Sequence, residues 1–353
     1  MKKLFSILFL AYSLFAMAEA PRHTFSGTVT DATNGESLIG ASVTVKELPG
    51  TGITTNGYGY FSLTLPDGQY TFVVSYLGYA TQSISIKLDN NRQLNIKLEP
   101  NSTELDDVII TAQARNNNIT STEIGMEKLE VKEISKIPVI FGEADIMKTL
   151  KLTPGIKSVG EASGGFFVRG GNNSQNLVLL DEATVYNADH LLGFFSTFNS
   201  DAIKDIQMFK GTAPAEYGGR ISSVLDVKMN DGNNQSHHIG GGIGLISSRL
   251  NAEGPLVKDK GSYLVTARRT YADLFLKLSP DTLINNNQLY FYDLNMKLNY
   301  KIDDKNRLFL SGYFGRDIFE FQDRFGIDWG NITGTLRWNH LWSEKLFSNT
   351  SLV

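Results

Sequence analysis

Apolar and polar residues alternate with a period of two along much of this chain, the spacing of a strand with one wet and one dry face. Tyr290, Tyr292, Leu294, Met296, Leu298, Tyr300 and Ile302 are apolar or aromatic, while Asp293, Asn295, Lys297, Asn299 and Lys301 between them are polar. Ile332, Gly334, Leu336 and Trp338 alternate in the same way with Asn331, Thr333, Thr335 and Arg337. These runs approach the roughly 9–11 residues that a strand needs to span a bilayer. One face suits lipid and the other water. Tyr300, Trp338 and Trp342 near strand ends suit an interfacial aromatic girdle. Short turns near 257–261, 303–306 and 343–345 alternate with longer connections near 279–288 and 319–328, as in outer-membrane barrels. Residues 236–353 are therefore expected to form about five strands of a transmembrane β-barrel. The direction of the first, over 238–250, is left open. Alternation alone also admits a soluble sandwich with one wet face.

Residues 22–99 carry shorter runs, at 25–31, 38–45, 52–56, 58–65, 70–76, 82–86 and 94–98, separated by turn residues such as Pro66-Asp67-Gly68. Short strands at regular spacing predict an antiparallel β-sandwich. Residues 100–125 are a linker rich in Asn, Ser and Thr. Within it, Val108, Ile109, Ile110 and Thr111 form a run of β-formers suited to strand addition on another protein's sheet edge. Residues 126–230 read as α/β. Helical spacing over 143–151 sets Ala144, Ile146, Met147 and Leu150 on one side and stops at Pro154-Gly155, and strands follow at 166–169, 176–180, 202–209 and 223–228.

The first twenty residues read as an export signal. Lys2 and Lys3 precede an apolar run over 4–15, and Ala16-Met17-Ala18 or Ala18-Glu19-Ala20 offers small residues for cleavage. The run is short for a retained membrane anchor. The chain of 353 residues has 33 Lys+Arg against 37 Asp+Glu, a balance that disfavours a nucleic-acid partner. With no cysteine, it has no disulfide, thiolate metal site, cysteine nucleophile or lipoprotein acylation site. His23, His190, His237, His238 and His340 are scattered, and no metal site, catalytic constellation or cofactor is expected from them. Gly164-Gly165 and Gly170-Gly171 lack the GxxxxGK[ST] context of a phosphate loop.

Three stretches resemble known families. "FSGTVTDATNGESLIGASVTVKEL" through "PDGQYTFVVSYLGY" resembles the carboxypeptidase-regulatory-like domain; no peptidase activity is implied, because neither HExxH nor HxxE occurs. "ELDDVIITA" resembles the TonB box, which assigns Leu105, Asp106, Asp107, Val108, Ile109, Ile110 and Thr111 to partner binding. "TPGI", "FFVRGG", "LVLLDEATVYN", "IQMFKGTAPAEYGGR" and "SSVLDV" resemble, in order, the plug domain of TonB-dependent outer-membrane receptors. The resemblance marks Arg169, Gly170, Gly171, Asp181, Lys210, Gly211, Tyr217, Gly218, Gly219 and Arg220 as plug-motif residues. Glu182-Ala183 departs from the family's glycine after the aspartate. Arg169 is expected to pair with carboxylates of a barrel wall.

The resemblance implies a mainly β fold: signal peptide 1–20, β-sandwich 22–99, linker with TonB box 100–125, α/β plug 126–230 and the first strands of a transmembrane β-barrel over 236–353. It implies import of a scarce nutrient across a Gram-negative outer membrane, with the N-terminal domains on the periplasmic side. The partners implied are the TonB complex, outer-membrane lipid, a small ligand (siderophore, glycan, cofactor or peptide) and, as an option, a surface lipoprotein. A barrel that houses a plug has about 22 strands, so the chain is expected to be a fragment of a longer product or the output of a broken gene. The rival readings are an outer-membrane signalling receptor and a surface adhesion or structural β protein. An enzyme is the weakest.

Overall fold

The computed structural model describes residues 21–101, 126–130, 145–160, 163–322 and 324–353. The expected signal peptide, the segment 104–112 and the start of the helix expected at 143 lie outside the described residues. The chain divides into two compact units, one built on the N-terminal sandwich and one on the α/β region with the strands that follow it.

The first unit contains β1 (Arg22–Asp31), β2 (Ser42–Val45), β3 (Gly52–Thr54), β4 (Tyr60–Pro66), β5 (Gly68–Ser75), β6 (Gln82–Leu88), β7 (Arg92–Gln93) and β8 (Ile96–Leu98). One sheet has the order β4-β1-β7 with β8 also on β1, and the other runs β3-β2-β5-β6. The inward positions of both sheets form one apolar core, as alternation requires. Phe25 sits at its centre, with ring centroids 5.2 Å from Phe61 and 4.2 Å from Phe72. β2 starts at Ser42 and not at 38, because Gly40 takes a φ of +77° and turns the chain before the ladder begins.

The α/β region contains β9 (Met126–Glu130), α1 (Ile146–Leu150), β10 (Ile156–Gly160), β11 (Ser163–Val168), β12 (Asn176–Leu180), β13 (Ala183–Thr184), β14 (Asp189–His190), β15 (Phe195–Ser196), β16 (Ile203–Lys210) and β17 (Ser223–Met229). Its main sheet has the order β13-β12-β17-β16-β9. The β12–β17 pair is parallel, and the other pairs are antiparallel. Asp145 caps α1 by accepting from the Lys148 amide at 3.0 Å. Ile146, Met147 and Leu150 then face a core that includes Ile206, Met208, Leu225 and Val227.

The remaining strands are β18 (His238–Ile243), β19 (Ser247–Val257), β20 (Gly261–Thr270), β21 (Gln288–Lys301), β22 (Asn306–Phe321), β23 (Phe325–Ser343) and β24 (Leu346–Leu352), with α2 (Ala272–Leu276) and α3 (Thr282–Asn285) in the connection before β21. They form one seven-stranded sheet in sequence order. Two features depart from the expected pattern of about five strands. The stretch 238–250 is a hairpin and not one strand, closed where the Gly244 amide donates to the Ser247 carbonyl at 2.8 Å. The stretch 319–328 is no long loop: β22 and β23 stay paired to Phe321↔Phe325. Phe319, Phe321, Phe325 and Ile327 keep the alternation running through the polar residues that suggested a loop.

The two faces of this sheet differ as the alternation predicts. Leu294, Leu336 and Ile332 are 44%, 47% and 79% exposed, whereas Asp293, Asn295, Lys297, Asn299, Asp317 and Arg337 on the other face are buried. Polar side chains are buried here because the α/β region lies against them. β21, β22 and β23, at 14, 16 and 19 residues, exceed what a bilayer requires.

Candidate functional site

Two clusters join the α/β region to the polar face of the seven-stranded sheet, here called the wall. The first is centred on Lys297. Its ammonium lies 3.1 Å from Asp181 and 3.1 Å from Asp231, and donates to the Met229 carbonyl at 2.8 Å. Asp181 ends β12 in the left-handed region (φ +46°), followed by Glu182 at +76°, and this tight turn delivers both acids to the wall. The Asp181 carboxylate also accepts from the Met229 amide at 3.0 Å, and Glu182 pairs with Arg337 at 3.5 Å. Asn299 Nδ2 and Ser262 Oγ both donate to the Asp231 carbonyl, at 2.8 and 2.6 Å. Burial alone would raise the Asp181 carboxyl, but Lys297, Arg337 and Lys228 outweigh it and hold it below its ordinary value. Asp231 is likewise held well below the carboxylate range against its burial, by Lys204 and Lys297.

The second cluster is a socket for His190. The imidazole stacks on Phe291 at 4.0 Å with a 3° interplanar angle. Its Nδ1 donates to Asp317 at 2.6 Å, and its Nε2 lies 3.3 Å from Asp293 and 3.1 Å from the Tyr313 hydroxyl. Arg268 holds Asp293 at 2.5 Å. Gly315 makes the space: a Cβ there would lie 2.0 Å from the Tyr313 hydroxyl and 3.2 Å from His190 Cε1. Burial pushes the His190 imidazole down, but the carboxylates of Asp293 and Asp317 prevail and raise it above its ordinary value. Its neighbour Asp189 is pushed up to about 6 by burial. Asp189 also borders a cleft of about 260 Å³ lined by Asn173, Asn176, Thr184, Tyr186 and Arg220.

The residues marked from the sequence fall at opposite ends of the sheet. The pairings Asn176↔Ser223 and Lys210↔Ser223 gather 169–175 and 211–222 at one end, and Asp181 stands at the other. Lys210 donates to the Pro154 carbonyl at 2.8 Å and pairs with Glu127. The Tyr217 hydroxyl donates to Asp226 at 2.9 Å, and its ring packs 5.3 Å from Phe209. Gly170, Gly211 and Gly219 take φ of +86°, +97° and +80°. At Gly171 a Cβ would lie 2.1 Å from Ser222 Oγ, while Gly218 faces open space. Arg220 is exposed and donates to the Gly219 carbonyl at 2.9 Å. Arg169 corrects an expectation: it is exposed, at φ +46°, and among the described residues it pairs with no carboxylate. Pairs of both polarities join the α/β region to the wall: Asp181 and Glu182 meet Lys297 and Arg337, while His190 meets Asp293 and Asp317. His190, Glu182, Arg268, Asp293, Lys297, Asp317 and Arg337 were not singled out as site residues. Alternation flags the wall residues as facing inward but not their partners.

The family model described as TonB-dependent Receptor Plug Domain matches residues 137–224, and that described as CarboxypepD_reg-like domain matches 25–110. The chain carries the plug domain of the TonB-dependent receptors over 137–224. Members of this family are receptors and transporters of the outer membrane, not enzymes. TonB-dependent receptor P3 of Formosa agariphila is 30% identical over 145 residues, 40% of this chain and 14% of that protein. Among solved structures, the siderophore receptor PirA from Acinetobacter baumannii is 18% identical with a TM-score of 0.47, over 67% of this chain and 40% of that one. The copper transporter OprC is 15% identical with a TM-score of 0.45, over 62% of this chain and 35% of that one. The chain thus spans well under half the length of each. The α/β region is the plug domain.

Proposed function

We propose that this chain is the plug-bearing part of an outer-membrane transporter that binds a scarce small ligand outside and admits it to the periplasm with energy delivered by TonB. The observation that carries this reading is the seam: plug acids and an imidazole are set into the polar face of a wall whose opposite face is apolar. A plug held this way blocks a lumen but is not fused to it. Buried ion pairs gain little over their hydrated state, so water entering the seam replaces the contacts at small net cost.

In this reading 104–112 extends into the periplasm and adds as a strand to TonB, and the sandwich lies on the same side. The short wall turns at 257–261, 303–306 and 343–345 mark that side. The cleft bordered by Asp189 and Tyr186 offers amides, a hydroxyl and an aromatic ring to a small polar ligand; siderophore, glycan, cofactor and peptide all fit that description. A surface lipoprotein partner is compatible with it.

The test is calorimetry of a synthetic 104–112 peptide with the C-terminal domain of TonB, alongside the same titration with Val108 and Ile110 changed to Pro. Saturable binding that the prolines abolish is expected, because proline removes ladder donors. No heat with the natural peptide would overturn the proposal.

A further inference from the structure

The face of the wall turned away from the plug changes character at one level. Its side chains form rows across β20 to β23, because paired residues point to the same side. One row, with Tyr300, Leu308 and Trp338, lies beside the short turns, and Leu294, Phe314 and Ile332 belong to a row further along. From the first of these rows to the second, no residue of β20 to β23 on this face is charged. The next row breaks the pattern: Arg269 on β20, Tyr292 on β21 and Arg316 on β22 stand side by side.

Both arginines are exposed. Arg269 lies over the Tyr290 ring at 5.3 Å, and among the described residues no carboxylate pairs with it. Arg316 donates through Nε to the Asp328 carboxylate at 2.8 and 3.1 Å, and through Nη2 to the same group, which leaves Nη1 for a further acceptor. Gly330, opposite Arg316, brings no side chain over it. Two cations thus meet one carboxylate at this level. The other acid on this face, Glu320, sits beyond the row and accepts from Gln288.

An arginine facing lipid is costly at the midplane of a bilayer and nearly free at its surface, so this row marks an edge of the hydrocarbon. The long connection between β20 and β21 lies beyond that edge, and the short turns lie at the other, so it is the outer edge. At the inner edge Tyr300 and Trp338 anchor the wall with aromatic rings and no charge. Anchoring alone therefore does not require the two arginines. Their guanidiniums are planar, always charged and matched to phosphate oxygens. They stand two strands apart, about 10 Å, with the Tyr292 phenol between them.

We propose that Arg269, Tyr292 and Arg316 bind the phosphorylated headgroup of an outer-leaflet lipid, whose acyl chains lie along Leu294, Phe314 and Ile332. This rests on reading the wall as a membrane-spanning sheet with its short turns in the periplasm. It adds a lipid site on the side of the wall that the transported ligand never meets.

The full-length receptor in mild detergent would be titrated with diphosphoryl lipid A and bound lipid read by native mass spectrometry. Saturable binding is expected, weakened about tenfold in Arg269→Gln and about tenfold in Arg316→Gln, since each loses one charge-assisted contact. Dephosphorylated lipid A should bind the natural receptor at least as weakly as lipid A binds either variant, and this arm needs no substitution. Inorganic phosphate at the same concentration should displace nothing. Equal binding of the two lipids by the natural receptor, or full binding by both variants, would overturn the proposal. Displacement by inorganic phosphate would overturn it too, by making the row a site for a free anion. The underlying reading has its own measurement: Leu336→Cys should resist a water-soluble maleimide in intact outer membranes and react once detergent is added. Reaction in intact membranes would remove the membrane-spanning reading. Protection there, together with lipid binding that ignores phosphate, would remove the lipid site alone.

Discussion

The sandwich core and the plug–wall seam are both buried, and they are built from opposite materials. In the sandwich, Phe25, Phe61 and Phe72 interlock with Val43, Val74 and Leu88, and burial of apolar surface does the stabilising. In the seam, Asp181, Asp231, Lys297, His190, Asp293, Asp317 and Arg268 are buried as charges and hydrogen-bonding groups. An apolar core gains from every contact and opens only by unfolding. A paired polar seam is near balance with water, yet it fails sharply when one partner is missing. The contrast separates a part that keeps its shape from a part that holds two bodies in register and can let go.

The sharpest way to break this contrast is Lys297→Met. It strands Asp181 and Asp231 without their shared cation and is expected to cost about 3–5 kcal/mol. Hydrogen exchange should register the loss at the Met229 and Asp181 amides, and unchanged protection there would mean that the seam does not depend on its charges. On the sandwich side, Leu88→Ala is expected to cost about 3 kcal/mol through its cavity. Exchange in β1 and β5 should report it with no change in the plug, since the core is local. Asp189→Asn should act in the opposite sense. The carboxyl is raised to about 6 by burial, so its charged form is disfavoured at neutral pH. Neutralising it is expected to stabilise the plug by about 1–2 kcal/mol after allowance for its partial exposure. The gain should shrink as pH falls from about 6 and be gone below the unfolded value of about 4, as the natural side chain takes up its own proton; a gain that persisted in stronger acid would point to some other cause.

The smallest effect expected is alkaline loosening of the His190 socket. Its folded value lies above the ordinary one, so its contribution is complete below the unfolded value of roughly 6.5 and is lost as pH rises through the folded value. Exchange of the Leu191 amide, held by Asp317, should quicken on that rise in the natural protein and not in His190→Gln. Equal pH profiles for the two would remove the imidazole from the account.

Much of the architecture was legible because one face of each strand is dry. The sandwich strands and β21 to β23 follow directly from alternation. The β18–β19 hairpin was not legible, because Gly240, Gly241 and Gly242 supply no side chains to alternate. The site was less legible than the fold. Lys297 and Asp181 stand 116 positions apart and His190 and Asp317 stand 127 apart, and nothing local marks either pair. The expectation for Arg169 followed charge complementarity, but the sheet carboxylates Asp293 and Asp317 meet His190 instead, since only the register of plug on wall decides which residues meet. The scattered histidines carried no signal because His190 finds its acids on other strands.

The segment 187–201, a strap laid across the polar face of the sheet, also bears on the order in which the molecule is put together. It runs from β23 at Asn187 to β19 at Asp201, opposite to the sequence order of the wall strands. Its tail can therefore seat as soon as β19 exists, but its head waits for β23, 130 residues later by the Asn331 contact to residue 201. Until then the plug is tethered at one end and loose at the other, so docking proceeds as a progressive closure that reports, strand by strand, how much of the wall has been built.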